Sequence, residues 1–498
     1  MKKNTSAVSD YINKQRKLCL SCFEMAHLML FSLINSLLLY PIFMAESEPF
    51  KGKKAAYCTL GCKLNFSETA TIAGMLHSLG VTDCGDGEVA DICIINTCTV
   101  TDVADHKCRQ AIRRMARLNP GALVVVTGCM AQLDARRTAA IDGVDLVLGA
   151  HEKASLIDYL RQTWALREAK MSRDGSQTGS LHISHTTDTS RIKAFAPSCS
   201  RGNRTRYYLK VQDGCSYYCT YCAIPFARGR SRSPEISLLV EQAKAAADAG
   251  AKEIVLTGVN IGDYGRQTGQ TFLQLVKALD TVDGIERYRI SSLEPDLIDD
   301  NLIEWCAQSR RFMPHFHIPL QSGSDTVLRL MHRRYDTALF AHKIELIRKL
   351  LPTAFIGVDV MAGMRGERPE LFEEAFTFIQ SLDISQLHVF PYSERPGTAA
   401  LKIPFTVSES DKKERCNRLL KLSKQKRDAF YARFIGTEAD VLFEKSTRGK
   451  PMHGFTANYI RAELPATTAS PSLDNTIVRV RLGSFTAKGD ALTAYIIR

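Results

Sequence analysis

The chain has 498 residues, room for about three domains, and its 45% apolar and 24% charged residues exclude a disordered or fibrous protein. A formal charge of +12 points to an anionic partner, nucleic acid first. Fifteen cysteines spread over so long a chain exclude a small disulfide-stapled scaffold. They suit thiolate metal ligands in a reducing compartment, so a cytoplasmic, oxygen-sensitive protein is expected.

Residues 1–50 form a hydrophobic N-terminal extension. Residues 26–45 are nearly all apolar, about the length of a membrane span, and Lys2, Lys3, Lys14, Arg16 and Lys17 precede them. Export would carry metal-binding cysteines into an oxidising space. The simplest reading is translation from Met44, with a cytosol-facing anchor as the alternative; no stable membrane association is expected. Cys19 and Cys22, a lone CxxC, receive no function.

Residues 51–163 alternate buried apolar runs with helical stretches. Strands are expected over 55–57, 92–95, 123–126 and 146–148, and helices over 68–79, 103–118 and 131–140. This pattern predicts an open parallel α/β sheet. Residues 164–203, rich in Ser, Thr, Gly and His, read as a linker. From 204 to 433 the alternation resumes with six strands, over 207–211, 253–256, 288–291, 315–319, 355–360 and 386–390, which predicts a partial (β/α)6 barrel. Residues 412–433 read as a basic helix. Short alternating runs from 434 to 498 predict a small β-barrel.

Cys215, Cys219 and Cys222 follow a Cys-x3-Cys-x2-Cys pattern on one loop. Zinc needs a fourth ligand: no His lies between His185 and His315, and the nearest cysteine, Cys199, sits on the polar linker. Three thiols on a tight loop suit a 4Fe-4S cube with one iron left open. In the first sheet, three strands end in a cysteine: Gly61-Cys62, Thr97-Cys98 and Gly128-Cys129. Ligands of open α/β sheets bind beyond the carboxyl ends of the strands, and neighbouring ends lie about 5 Å apart, so these thiols can converge on a second cluster. At the carboxyl rim of the second unit, Gly258, Glu294 and Gln321 are candidate cofactor-binding residues. Tyr221 is a further candidate, against adenine or within its own loop.

The spacing and Tyr221 resemble the radical S-adenosylmethionine (SAM) superfamily. Gly61-Cys62-Lys63-Leu64-Asn65 with Glu68, Asn96-Thr97-Cys98-Thr99-Val100-Thr101, and Gly128-Cys129-Met130-Ala131-Gln132 resemble the N-terminal domain of its methylthiotransferases. The likeness continues through Arg204-Thr205-Arg206, Lys210-Val211-Gln212-Asp213-Gly214-Cys215, Ile224-Pro225 and Arg228-Gly229. It implies two 4Fe-4S clusters. One, on Cys215, Cys219 and Cys222, binds SAM and generates a radical; the other, on Cys62, Cys98 and Cys129, carries sulfur. It also implies an electron donor such as a flavodoxin or ferredoxin, and a sulfur donor that the sequence does not identify. Residues 363–368 depart from a family turn by lacking its Pro and Thr.

Asn96 to Thr101 with Asp105 and Lys107 resemble the MtaB-type branch, which adds a methylthio group to carbon 2 of N6-threonylcarbamoyladenosine at position 37 of tRNA. The alternatives are isopentenyladenosine of tRNA, an aspartate of a ribosomal protein, and a non-catalytic RNA-binding iron-sulfur sensor. The last domain resembles the RNA-binding TRAM module, with Tyr459, Arg461, Arg479 and Arg481 as candidate RNA contacts.

Overall fold

The computed structural model describes residues 48–497 apart from 100, 175–179, 201–204 and 448. Residues 1–47 of the hydrophobic extension, with Cys19 and Cys22, and the motif residues Val100 and Arg204 lie outside the described residues. No helix among the described residues is long and apolar enough to cross a membrane.

Six parallel strands form the first sheet: β1 (Lys54–Thr59), β2 (Thr82–Asp83), β3 (Ile92–Thr97), β4 (Leu123–Gly128), β5 (Leu146–Leu148) and β6 (Ile183–His185), in the order β2-β1-β3-β4-β5-β6. Every residue of β3, β4 and β5 is buried, as expected of a sheet covered on both faces. Two edge strands, β2 and β6, add to the four read from the sequence. The 164–203 stretch carries regular structure: the helix Leu156–Asp174 runs into it, and β6 extends the sheet from it. The single helix expected over 131–140 is two short ones, Cys129–Leu133 and Ala135–Ala139.

The next six strands are β7 (Arg206–Lys210), β8 (Glu253–Thr257), β9 (Arg287–Ile290), β10 (His315–Gln321), β11 (Phe355–Ala362) and β12 (Gln386–Pro391). They pair in parallel and in chain order as two three-stranded sheets. Parallel bridges Tyr288–Phe312 and Ser292–His317 join β9 to β10, so the six strands curve into one partial barrel. Intervening helices such as Ile236–Asp248 and Phe272–Asp280 pack outside it through Leu239, Ala243, Leu275 and Val276.

The last strands, β13 (Glu438–Phe443), β14 (Met452–Thr456), β15 (Arg461–Leu464), β16 (Ile477–Phe485) and β17 (Leu492–Ile496), close into a five-stranded barrel. It caps the amino ends of β7–β11. Arg287 donates to the Phe455 and Asp440 carbonyls at 3.1 and 2.9 Å, and Arg289 to those of Ala457 and Thr456 at 2.8 Å each. Tyr459 turns inward from the β14–β15 hairpin. Its ring lies 4.3 Å from that of His315, its hydroxyl accepts from Arg206 at 3.0 Å, and Arg289 sits over its face. The expectation that Tyr459 stacks on RNA is thereby overturned, because the ring is committed to the domain junction. Arg461, Arg479 and Arg481 pair with Asp490, with Glu438 and Asp440, and with Glu438.

Candidate functional site

Cys62, Cys98 and Cys129 occupy the carboxyl ends of β1, β3 and β4, adjacent strands of the first sheet. Asn65 ties two of these ends together: its Nδ2 donates to the Leu60 carbonyl at 2.8 Å and the Thr97 carbonyl at 3.0 Å. Gly61 has a φ of +105°, and a Cβ there would come 3.0 Å from the Cys98 sulfur, so only glycine lets the Cys62 turn approach Cys98. Cys62 stands at the N-cap of the helix Lys63–Ser78 with its thiol exposed and unused in capping. Cys98 and Cys129 are buried. Burial raises the Cys129 thiol, Arg228 opposes that shift, and Cys62 is near enough to add to it.

Cys215, Cys219 and Cys222 follow β7. Burial pushes Cys215 up to about 11 and Cys222 up to about 12, and each also feels Cys219. Arg333 Nη1 donates to Cys219 Sγ at 3.1 Å. The same guanidinium pairs with Glu294, whose carboxyl burial raises to about 7 despite that partner. Gln212 braces the loop: its Nε2 donates to the Gly214 carbonyl at 2.7 Å, and its Oε1 accepts from the backbone N–H groups of Val259 and Asn260 at 3.0 and 2.8 Å. A Cβ at Gly258 would lie 2.8 Å from the Gln212 carbonyl.

Glu294 therefore reaches the thiol loop through Arg333, and Gly258 adjoins it through Gln212. Gln321 closes β10 with a φ of +67° and stays half-buried. Tyr221 packs beside Val327, Met331, Met364 and Tyr392, in the segments that follow the carboxyl ends of β10, β11 and β12. In the loop that departs from the family turn, Glu367 accepts from Gly363 N and from Arg415, both at 2.7 Å, which closes the turn without Pro or Thr.

The two triads meet at a buried charge cluster. Arg228 donates to Glu68 at 2.8 Å, to Asn65 Oδ1 at 2.7 Å and to Asp213 at 3.1 Å. Lys153 and Lys210 also pair with Glu68, and Lys210 and Arg232 with Asp213. Glu68 and Asn65 follow Cys62, and Asp213 precedes Cys215, so one network fixes both thiol sets. A second tie joins the loop after β12 to the Cys98 loop: Arg395 donates to Asp102, Thr99 and Asp105 at 2.7, 2.5 and 2.8 Å. Sequence reading missed Arg333 and Arg395, whose partners lie far away along the chain.

The thiol spacing tests the expected clusters. Among the described residues, the one group of three His, Cys, Asp or Glu ligand atoms lying within 4.8 Å of one another is His317, Asp359 and His388. Neither thiol triad is drawn so tightly. A single tetrahedral ion would hold its sulfurs about 3.8 Å apart, given ~2.3 Å bonds. The wider spacing and three-thiol donor sets fit a larger iron-sulfur group.

Residues 54–149 match the uncharacterized protein family UPF0004, and residues 209–379 match the Radical SAM superfamily. The threonylcarbamoyladenosine tRNA methylthiotransferase MtaB of Bacillus subtilis is 38% identical, over 83% of this chain and 90% of that protein. The MtaB protein of Aquifex aeolicus is 36% identical, over 79% and 94%. A tRNA-2-methylthio-N(6)-dimethylallyladenosine synthase of Pelotomaculum thermopropionicum is 30% identical, over 79% and 87%. By this likeness along most of its length, the chain belongs to the radical SAM methylthiotransferase family, on its MtaB-type branch.

Proposed function

We propose that the protein adds a methylthio group to carbon 2 of N6-threonylcarbamoyladenosine at position 37 of tRNA. The main support is its likeness to MtaB proteins, which exceeds its likeness to the dimethylallyladenosine synthase. Cys215, Cys219 and Cys222 would hold the 4Fe-4S cluster that binds SAM; Cys62, Cys98 and Cys129 would hold the second. When bound, these groups supply a hydrogen-abstracting radical and the transferable sulfur.

The chain's own side chains hold this apparatus in place. Arg333 neutralises Glu294 and donates to Cys219, which favours the thiolate a metal ligand must be. Glu294, Gly258 and Gln321 would line the rim where SAM lies, while Tyr221 anchors the thiol loop against Val327, Met331 and Met364. Arg228 and Arg395 lock the sulfur-carrying triad over the barrel mouth. The RNA partner would meet the helix Asp102–Leu118, which begins beside Cys98. Its Lys107, Arg113, Arg114 and Arg117 are exposed and make no ion pair with a described carboxylate. The reductant would be a flavodoxin or ferredoxin, and the closed C-terminal barrel would act as a TRAM-type module in the cytoplasm.

Deleting the gene should remove methylthio-threonylcarbamoyladenosine from digested tRNA, as read by mass spectrometry. Loss of a methylthio mark from isopentenyladenosine or a ribosomal protein instead would refute the substrate. In the reconstituted protein, Cys98→Ala should lower iron from about eight to about four per chain. It should still yield 5′-deoxyadenosine but no methylthio product.

A further inference from the structure

The inner face of the catalytic barrel carries polar side chains that neither thiol triad uses. On β10, β11 and β12, Phe316, Ile318, Val358, Val360, Leu387 and Val389 pack into the core beneath the outer helices. The residues between them, His317, Asp359 and His388, point the other way, into the barrel, and stay partly accessible. Asp359 and His388 are partners in register on adjacent strands. His317 Nε2 lies 2.6 Å from Asp359 Oδ1, and its Nδ1 lies 3.1 Å from Ser292 Oγ. A carboxylate only accepts, so His317 is the donor to Asp359. The His388 ring lies 5.0 Å from that of His317. Among the described residues, the His388 ring makes no hydrogen bond, and Asp359 Oδ2 makes none either.

This polar group has one flank toward each thiol set. Just past Ser292, Glu294 pairs with Arg333, which donates to Cys219. Further along from His388, Arg395 holds Asp102 and Thr99 beside Cys98. Between them, Phe390 is exposed at the carboxyl end of β12, on the same side of the strand as His388. Two residues of strand separate these two side chains by about 6.6 Å.

An imidazole N–H beside a carboxylate oxygen, both open to the barrel, suits a hydroxyl, which accepts from the first and donates to the second. Burial lowers the His388 ring below its ordinary value, so it is neutral near pH 7 and offers that donor without a charge. A carboxylate in the same place would face Asp359 as a like charge. A shared metal ion would break the His317–Asp359 hydrogen bond, because tetrahedral ligands with ~2.0 Å bonds stand about 3.3 Å apart. Resting on the substrate proposed above, we infer that Asp359 and His388 bind the hydroxyl of the threonyl arm and so select threonylcarbamoyladenosine. That hydroxyl lies five bonds beyond N6, a reach of about 6 Å at ~3.5 Å per three bonds. A base stacked beside Phe390 therefore delivers it to the level of His388, with carbon 2 left at the barrel mouth. An isopentenyl arm has no polar atom and leaves both groups stripped of water and unpaired, so the same pair selects and rejects.

The test uses the full, anaerobically reconstituted protein and anticodon stem-loops carrying one of three bases. These are threonylcarbamoyladenosine, its 2-aminobutyrate analogue (hydrogen in place of the hydroxyl) and isopentenyladenosine. Removing the hydroxyl should weaken binding to the wild-type protein by roughly 10- to 100-fold, the range for a hydrogen bond to a charged group. His388→Phe should lose a like factor with the natural arm and nothing further with the analogue. Equal wild-type affinity for the two arms overturns the assignment. So does a His388→Phe protein that loses as much with the analogue as with the natural arm. Stoichiometric manganese or zinc in the wild type, lost on replacing His317 and His388 by alanine, also overturns it in favour of a metal site. If the wild-type protein methylthiolates only isopentenyladenosine RNA, the substrate reading itself fails. If it methylthiolates threonylcarbamoyladenosine RNA but ignores loss of the hydroxyl, the role of Asp359 and His388 alone fails.

Discussion

Arg228→Met deletes the guanidinium on which the two thiol triads converge and keeps its apolar stem. The lost contacts are those to Glu68 at 2.8 and 3.3 Å, to Asn65 at 2.7 Å and to Asp213 at 3.1 Å. Neither carboxylate is left bare. Glu68 retains Lys153 at 2.5 Å and Lys210 at 3.2 Å, and Asp213 retains Lys210 at 2.7 Å and Arg232 at 2.9 Å. The cost therefore falls at the low end for breaking a buried pair, about 3 kcal/mol. At ~2–4 °C per kcal/mol, the thermal midpoint of the reconstituted protein should drop by roughly 6–12 °C. Methylthio product per 5′-deoxyadenosine should fall more than either step alone, because Arg228 aligns the Cys62 and Cys129 region with the Cys215 loop. Arg228→Lys restores charge without the fork and should recover the midpoint better than the coupling. A variant melting within about 2 °C of wild type, with an unchanged product ratio, would refute the argument.

Two further outcomes follow from charge. Burial pushes the Glu68 and Asp213 carboxyls up, and the surrounding cations more than reverse this, so both are held below their ordinary range. Their stabilisation is present above the unfolded values near ~4 and is lost as pH falls through and below them. The thermal midpoint should stay level near neutrality and decline below about pH 4.5; a rise across that window would contradict the sign. On the helix Asp102–Leu118, Arg113→Glu with Arg117→Glu should weaken tRNA binding and reduce the slope of log K against log salt by about two. An unchanged slope removes that helix from the RNA interface.

Much of the fold was legible because buried parallel strands are continuous apolar runs. Ile92 to Ile95 and Leu123 to Val126 announce themselves, and Gly-Cys or Thr-Cys marks their ends. The edge strand Ile183–His185 was hidden, since three half-exposed residues carry no periodicity and hold their place by pairing with β5. Arg228 stood in a visible motif, yet its bond to Glu68 spans 160 residues and leaves no local trace. Arg333 and Arg395 had no motif at all. Tyr459 was misplaced for a related reason: an aromatic beside arginines reads as a stacking surface, and only the domain junction shows the ring turned inward.

The distribution of positive charge constrains how RNA can reach this centre. The basic helix Glu409–Ala432 uses several of its cations as internal straps. Lys426 holds the Gln380 and Leu382 carbonyls, Arg427 holds Asp428 and the Gly489 carbonyl, and Lys424 pairs with Asp428. The arginines of β16 in the closed barrel face acidic residues of the neighbouring strand β13. By contrast, Lys107, Arg113, Arg114 and Arg117 of the helix Asp102–Leu118 pair with no carboxylate among the described residues, while its first-turn carboxylates pair with Arg395. A phosphate backbone drawn to that helix lies beside the Cys98 loop and outside the barrel. The His317–Asp359 pair, however, lines the barrel interior. A base stacked within its strand cannot reach from one to the other, so the target adenosine must swing out of the stack before carbon 2 can meet the sulfur.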